Sequence, residues 1–121
     1  MRISDAAAAC GLTIDTIRYY EKSEMLPEIR RTSDGRRFFR EADIEWLTLL
    51  YWLRETGMPL KQMRRFTALA KAGGETKPER RQILLQHAEE LRHRQDLLDK
   101  CQSVLAIKIA SYEVTGTETK A

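Results

Sequence analysis

The sequence predicts a mainly all-α protein with a helix-turn-helix head, a small two-stranded hairpin and one long C-terminal helix. Three features indicate this fold class. Two short segments with helical spacing flank Gly11, an Asp-Gly pair separates two arginine-containing runs, and no proline or glycine interrupts the chain between Pro78 and Gly116. A chain of 121 residues is long enough for one small domain and such a helix, but not for a two-domain enzyme.

Two short helices across a glycine turn are predicted at the N-terminus. Ser4 is a suitable N-cap for a first helix from Asp5 to Cys10, and Gly11 ends this helix. Thr13 is placed to cap a second helix. That helix has an apolar face of Ile14, Ile17 and Tyr20 and a polar face of Asp15, Arg18, Tyr19 and Lys22. Two such helices form a helix-turn-helix.

A β-hairpin is predicted after Pro27, which prevents the second helix from continuing. Its turn is Ser33-Asp34-Gly35, within a segment from Ile29 to Phe39. The pairing brings four arginines together on one ribbon, namely Arg30, Arg31, Arg36 and Arg37. Four guanidinium groups at close range repel one another unless an anion joins them, so the ribbon favours a phosphate partner. A solvated basic loop explains such a run equally well.

Two core helices are predicted next. The first spans Glu41 to Thr56 and ends with Gly57 after it, and the second has Pro59 in its first turn and runs to about Lys71. We expect Gly73-Gly74 to form a flexible joint. The predicted head therefore covers residues 1–72 and the hinge covers residues 73–77.

The long helix is predicted as a coiled coil over residues 78–112, followed by a flexible tail over residues 113–121. Its seam residues recur at intervals of seven, and Cys101 lies on the same seam; the predicted dimerisation set is Leu84, Leu91, Leu98, Cys101, Leu105 and Tyr112. His87 and Arg94 interrupt the second column of the seam. Because so small a head cannot cover this stripe, we expect a second chain to cover it.

Composition and charge argue against several classes of protein. The net charge is +3, and residues 1–40 hold most of the excess, with eight basic residues against six acidic ones. No segment is long and apolar enough for a membrane span, and the N-terminus lacks the apolar region of a secretory signal. The two cysteines lie 91 positions apart and form no disulfide framework, so we expect a cytoplasmic protein. Neither a catalytic constellation nor a cofactor motif is visible, so we expect no enzyme, no cofactor and no metal site.

Several motifs together resemble the MerR family of bacterial transcriptional regulators. They are Thr13-Ile14-Asp15-Thr16-Ile17-Arg18-Tyr19-Tyr20-Glu21, Leu26-Pro27, Arg31, Gly35-Arg36-Arg37-Phe38 and Thr56-Gly57-Met58-Pro59-Leu60. The resemblance covers about residues 1–112 and implies a winged helix-turn-helix head, a second wing around Gly57 and an antiparallel dimerisation helix. It also implies that a homodimer binds an inverted repeat in an over-long promoter spacer. There the dimer distorts the DNA so that RNA polymerase engages both promoter elements.

The sequence departs from the family pattern at three positions. Glu24 stands in place of a glycine after the second helix, Arg36 in place of a wing tyrosine, and Arg40 in place of a serine-like cap. Metal-sensing members of the family carry a cysteine at the start of the long helix, and this chain has none there. A thiol-reactive branch carries a cysteine near the position of Trp52, where this chain has no thiol. We therefore expect no metal sensing. For Cys101, packing on the seam is the favoured interpretation and redox sensing is the alternative, and the effector stays unidentified.

The predicted DNA contacts come from three segments. They are Thr13, Thr16, Arg18, Tyr19, Tyr20 and Lys22 on the second helix, Arg30, Arg31, Arg36 and Arg37 in the hairpin, and Lys61 and Arg64 after Gly57. The predicted partners are double-stranded DNA, a second copy of the chain and RNA polymerase. The alternative is a protein-binding coiled-coil adaptor with a helix-turn-helix head, and a strongly salt-dependent affinity for duplex DNA would argue against it.

Overall fold

The computed structural model describes residues 1–27 and 29–113, and these residues are helical apart from a short hairpin and the connecting turns. The elements are α1 (Ile3–Cys10), α2 (Ile14–Lys22), β1 (Arg30–Arg31), β2 (Arg37–Phe38), α3 (Glu41–Glu55), α4 (Leu60–Ala72), a 3₁₀ turn (Gly74–Thr76) and α5 (Lys77–Glu113). The predicted fold class is confirmed. Apart from Glu113, which ends α5, the predicted tail lies outside the described residues.

The chain divides into two compact units, of which the first is Met1–Leu84 and the second begins at Leu85. The first unit thus includes the start of α5 and extends beyond the predicted boundary at residue 72. Its core consists of side chains from all four preceding helices, the hairpin region and α5, where Ile83 is 4% exposed. Leu84 packs against the same core. This residue was predicted to lie on the dimerisation seam, and the structure shows it half-buried against the head core.

The glycine pair before α5 forms a hydrogen-bonded turn where a flexible joint was predicted. The Thr76 hydroxyl lies 2.6 Å from the Leu69 carbonyl oxygen and 2.7 Å from that of Gly73. Arg80 donates from Nε to the Thr76 hydroxyl at 3.0 Å. Gly73 has φ 126°, in the region that favours glycine. These bonds satisfy carbonyl groups at the end of α4, so the predicted hinge segment is part of the head.

Helix α1 begins earlier than predicted. Arg2 is its N-cap, with extended backbone and no side-chain capping bond, and Ser4 lies inside the helix. The predicted Ser4 cap was wrong. A distant contact explains the difference: the Phe39 backbone N–H donates to the Met1 carbonyl oxygen at 2.7 Å, so the segment after β2 holds the residues that precede α1.

Helix α3 ends in the turn that the sequence predicts at Gly57. The Met58 N–H donates to the Leu53 carbonyl at 2.9 Å, and the Gly57 N–H donates to the Arg54 carbonyl at 3.1 Å. Gly57 itself has φ 94°. This pair of bonds is the Schellman motif, which favours glycine because a Cβ atom is strained at positive φ.

Helix α2 ends in the same motif without a glycine. The Met25 N–H donates to the Tyr20 carbonyl at 2.9 Å, the Glu24 N–H donates to the Glu21 carbonyl at 3.1 Å, and Glu24 has φ 60°. The Lys71 ammonium group donates to the Glu24 carbonyl oxygen at 3.1 Å. Although Glu24 stands in place of the family's glycine, the left-handed turn is kept, so the backbone of Glu24 is strained.

We predict that Glu24→Gly stabilises the protein. A non-glycine residue in the left-handed region costs about 1–2 kcal/mol, and glycine's larger entropy in the unfolded chain cancels part of that gain. The expected net change is an increase of about 0.5–1 kcal/mol in the free energy of unfolding, measured by denaturant unfolding at matched protein concentration. Ser23→Gly is the control, because Ser23 has φ −84°. An equal gain in both variants would contradict the strain at Glu24.

Candidate nucleic-acid interface

Helix α2 presents one face to the core and the opposite face to solvent. Its N-cap is confirmed: the Thr13 hydroxyl accepts from the Thr16 N–H at 3.1 Å. Ile17 is fully buried, whereas Arg18 is exposed. This division places the polar face of the second helix of a helix-turn-helix where DNA can reach it.

Two neighbouring tyrosines on α2 have opposite environments. Tyr19 is 46% exposed, whereas Tyr20 is 4% exposed and belongs to the core, as its place on the apolar face predicts. Burial raises the pKa of Tyr20, so its phenol is neutral. Tyr20 was also included among the predicted DNA contacts, and the structure removes it from that set because its side chain is covered by the core.

The hairpin has the predicted turn and a defined register. Arg30 pairs with Phe38, and Arg31 pairs with Arg37, in antiparallel orientation. Gly35, in the turn, has φ 84°. Arg36 precedes β2, so it lies in the turn region, not on a strand as predicted; the side chain of Arg30 lies outside the described residues.

The turn of the hairpin is held by a carboxylate. Asp34 accepts from the Thr32 hydroxyl and, at 3.4 Å, from the Arg36 backbone N–H. The bond from Thr32 is the main cause that lowers the pKa of the Asp34 carboxyl group, and the bond from Arg36 lowers it further. Bonds of this kind, from a side chain to nearby backbone, are typical of tight turns.

The arginines of the hairpin are not a set of unpaired cations, contrary to the expectation from sequence. Arg36 Nε lies 3.4 Å from an Asp34 oxygen, and Arg37 Nε lies 2.5 Å from Oε1 of Glu21. Arg31 donates to the Gly35 carbonyl at 3.1 Å. The chain's own acceptors therefore relieve much of the repulsion that was expected to require an external anion.

The backbone just after α2 accepts hydrogen bonds from side chains of α3 and α4. The Met25 carbonyl accepts from the Trp46 indole N–H at 2.9 Å and from the Thr67 hydroxyl at 3.4 Å. Trp46 also stacks on Phe66, with ring centroids 5.2 Å apart. Its role at the end of α2 depends on a contact across 21 residues.

A cleft between α2 and the hairpin has a mainly basic lining. We name it the basic cleft, and its cationic residues are Arg18, Lys22, Arg31, Arg37, Arg40 and Lys71. Two of these, Arg40 and Lys71, were absent from the predicted contact set. Two carboxylates, Glu21 and Glu24, also line it. The concentration of guanidinium and ammonium groups favours a phosphate backbone at this surface.

The start of α4 carries the remaining predicted contacts. Lys61 and Arg64 are both exposed and lie three residues apart, on one side of the helix. The next residue, Arg65, lies 3.6 Å from Glu79 of α5. These exposed cations follow the turn at Gly57, around which the resemblance predicts a second wing.

The second unit presents an exposed apolar stripe. We use this name for Leu97, Leu98, Cys101, Val104, Leu105, Ile109 and Tyr112. Leu91, which was also predicted on the seam, is half-buried. Leu98 is 65% exposed, Leu105 is 52% exposed and Tyr112 is 58% exposed. Cys101 is also exposed, whereas Cys10 in α1 is half-buried and donates from Sγ to the Ala6 carbonyl at 3.0 Å.

Within residues 1–27 and 29–113, no helix is long and apolar enough to cross a membrane. The same residues contain no group of three or more His, Cys, Asp or Glu side chains placed to hold a metal ion.

Two family models match this chain. The MerR helix-turn-helix regulatory model matches residues 1–69, and the MerR DNA-binding model matches residues 44–106. The chain belongs to the MerR family. An uncharacterized HTH-type transcriptional regulator of Haemophilus influenzae is 32% identical over 108 residues, which cover 89% of this chain and 80% of that protein.

Solved structures agree with this family assignment. A MerR family regulator from Listeria monocytogenes has a TM-score of 0.86 at 30% identity, and the similarity covers 95% of this chain and 87% of that one. HiNmlR, a MerR family regulator lacking the sensor domain and bound to promoter DNA, has a TM-score of 0.83 at 31% identity over 93% and 89% of the two chains. This MerR protein is a DNA-binding transcriptional regulator and not an enzyme.

We predict that Asp34 titrates below the usual carboxyl range of about 3.9 because the Thr32 hydroxyl stabilises its charged form. Since the pKa is lowered in the folded state, this contribution to hairpin stability is present above the unfolded pKa and is lost as the pH falls through the folded value. NMR titration of the Asp34 carboxyl group measures the midpoint. Thr32→Val should raise it, and equal midpoints in the two proteins would contradict this cause.

Proposed function

We propose that this MerR regulator binds as a homodimer to an inverted repeat in a promoter spacer and distorts the DNA to control transcription. The observation that carries the proposal is the similarity to HiNmlR, which lacks the sensor domain and is bound to promoter DNA, over 93% of this chain. The basic cleft and the apolar stripe supply the two surfaces that such a dimer needs. In this proposal the protein acts in the cytoplasm, where it meets DNA and RNA polymerase.

The proposed DNA contacts follow from exposure and charge. Thr13, Thr16, Arg18, Tyr19 and Lys22 present the open face of α2 to the major groove, and Arg31 and Arg36 extend over the phosphate backbone. Lys61 and Arg64 supply a second set of phosphate contacts from α4. Groove contacts read the sequence, whereas phosphate contacts determine the register and orientation of the head on the duplex.

The proposed dimer rests on the apolar stripe. Burial of a leucine or similar side chain stabilises an association by about 1.5–3 kcal/mol before the cost of ordering, and Leu98, Leu105 and Tyr112 all stand more than half exposed. A second α5 supplies a matching surface. Cys101 lies within the stripe, so in the dimer it packs against the partner helix, and we assign it no sensing role.

The proposed mechanism needs both heads at once. A two-fold dimer places its two α2 helices on the two halves of an inverted repeat. Bending and untwisting the spacer between them costs deformation energy, which the extra contacts of the wings repay. The distortion then determines whether RNA polymerase reaches both promoter elements in the correct relative orientation.

We predict that Arg18→Ala weakens binding to the specific operator by about 1–3 kcal/mol, or roughly 5- to 150-fold, because Arg18 is exposed on the groove-facing side of α2. A genome-wide selection first identifies the operator, and equilibrium titration then measures the affinity. Arg65→Ala is the matched control, since Arg65 is an exposed arginine paired with Glu79 and outside the proposed contact set. Equal losses in both variants would remove Arg18 from the base contacts.

We predict that Leu98→Glu yields monomers that no longer bind a two-half-site operator, because a carboxylate cannot be buried in the apolar stripe. Light scattering measures the mass and titration measures the affinity. Ile107→Glu is the control: Ile107 is 73% exposed and lies on roughly the opposite side of α5 from Leu98. A wild-type protein that is monomeric at micromolar concentration would refute the dimer.

A further inference from the structure

One ion pair connects the recognition helix α2 to the hairpin. Arg37, on β2, directs Nε to Oε1 of Glu21 at 2.5 Å, and the side chains are 28% and 24% exposed. Glu21 lies in the last turn of α2, and 16 residues separate the partners in sequence. The pair therefore joins two elements that no other described side-chain hydrogen bond or ion pair links directly.

The environment of this pair differs from that of its neighbour in the hairpin. Arg36 and Asp34 are 58% and 59% exposed and lie 3.4 Å apart. A pair in such open solvent contributes little, and Arg36 can exchange its carboxylate for a phosphate at small cost. Arg37 and Glu21 are more shielded from water, so their attraction is stronger and exchange is more costly.

The charges around Glu21 make its carboxylate important for the geometry of the basic cleft. Arg18, Lys22, Arg31 and Arg40 line the cleft along with Arg37. Glu24 is the other carboxylate in the lining of the cleft, and Arg40 Nε lies 3.4 Å from Asp43. Loss of the Glu21 charge would leave Arg37 without its ion-pair partner and facing the cations of α2. The carboxylate thus keeps the hairpin close to α2 before any DNA is bound.

We propose that Glu21 and Arg37 are a positioning pair, which sets the place of the hairpin against the recognition helix, and that Arg37 is not itself a phosphate ligand. This inference rests on the proposed DNA contacts and reassigns one residue that the sequence predicted as a contact. Arg31 and Arg36 then make the phosphate contacts of the hairpin.

The positioning role predicts an effect on the specificity of DNA binding. A displaced hairpin lowers the affinity for the specific operator, because α2 and the hairpin must both fit the duplex when α2 lies in its specific register. Loss of either partner should therefore lower the ratio of specific to non-specific affinity. The ratio is the useful measure because removal of Glu21 or Arg37 also changes the net charge, and this charge effect acts on all sequences alike.

The test compares Glu21→Gln, Arg37→Gln, the double variant and the charge swap Glu21→Arg with Arg37→Glu. Each is titrated with the selected operator duplex and with a scrambled duplex of the same length, over a series of salt concentrations. We expect each single variant to lower the ratio about tenfold, the double variant to lose no more than the worse single variant, and the swap to recover most of the ratio.

Arg36→Gln is the matched control. It should weaken both duplexes by the same factor and reduce the salt slope by about 0.9, as expected for one lost phosphate contact, whereas Arg37→Gln should leave the slope nearly unchanged. If Arg37→Gln instead reproduces the behaviour of Arg36→Gln and Glu21→Gln leaves the ratio intact, Arg37 is a phosphate ligand and the proposal is overturned.

A second measurement decides the question without DNA. Amide hydrogen exchange in the free protein reports the order of the hairpin, for example at the Thr32 N–H, which donates to the Arg36 carbonyl at 2.7 Å. Both single variants should exchange faster there, and the charge swap should restore protection. Unchanged exchange would overturn the positioning role. A wild-type protein that binds both duplexes equally would contradict the proposed function. The exchange data would then still test the positioning role of Glu21 and Arg37.

Discussion

The position of the recognition helix depends on how the backbone just after it is bound. A helix of nine residues is too short to be stable by itself in water. Its end is held because the Met25 carbonyl accepts from Trp46 of α3 and Thr67 of α4, while Lys71 binds the carbonyl of the preceding residue. The α3–α4 pair therefore determines the orientation of α2. The same pair carries the proposed second wing.

The electrostatics of the interface come from cations and from the carboxylates that accompany them. Asp34 shapes the tip of the hairpin, and the Glu21 carboxylate of α2 pairs with Arg37 of β2, so the acidic residues organise a surface that is basic as a whole. If the surface carried cations alone, the basic side chains would repel one another. The protein's acidic side chains allow its arginines to approach one another before a phosphate is present.

The long helix serves the head at its start and leaves apolar surface open farther along. Ile83 and Leu84 pack with the head core, and Thr76 with Arg80 ties the entry to α5 to the end of α4. Beyond the start of the second unit, large apolar side chains such as Leu98 stand exposed. So large an apolar area is unfavourable in water, and this is the physical basis for the proposed association of two chains.

Local signals in the sequence determined much of the secondary structure. The Thr13 cap, the turn at Gly57 and the hairpin centred on Gly35 are confirmed because each depends on residues a few positions apart. Helical periodicity likewise placed α3, α4 and α5 to within a few residues. The proposed contacts on the exposed face of α2 follow from the same periodicity.

Tertiary structure alone decided the features that depend on distant partners. The start of α1 at Ile3 follows from a bond to Phe39, the pairing of Arg37 follows from the packing of the hairpin on α2, and Leu84 joins the head because its core extends into α5. The sequence shows which side chains are basic or apolar, but it does not show which of them meet. Those encounters are settled only when the helices pack and bring residues far apart in the chain within bonding distance.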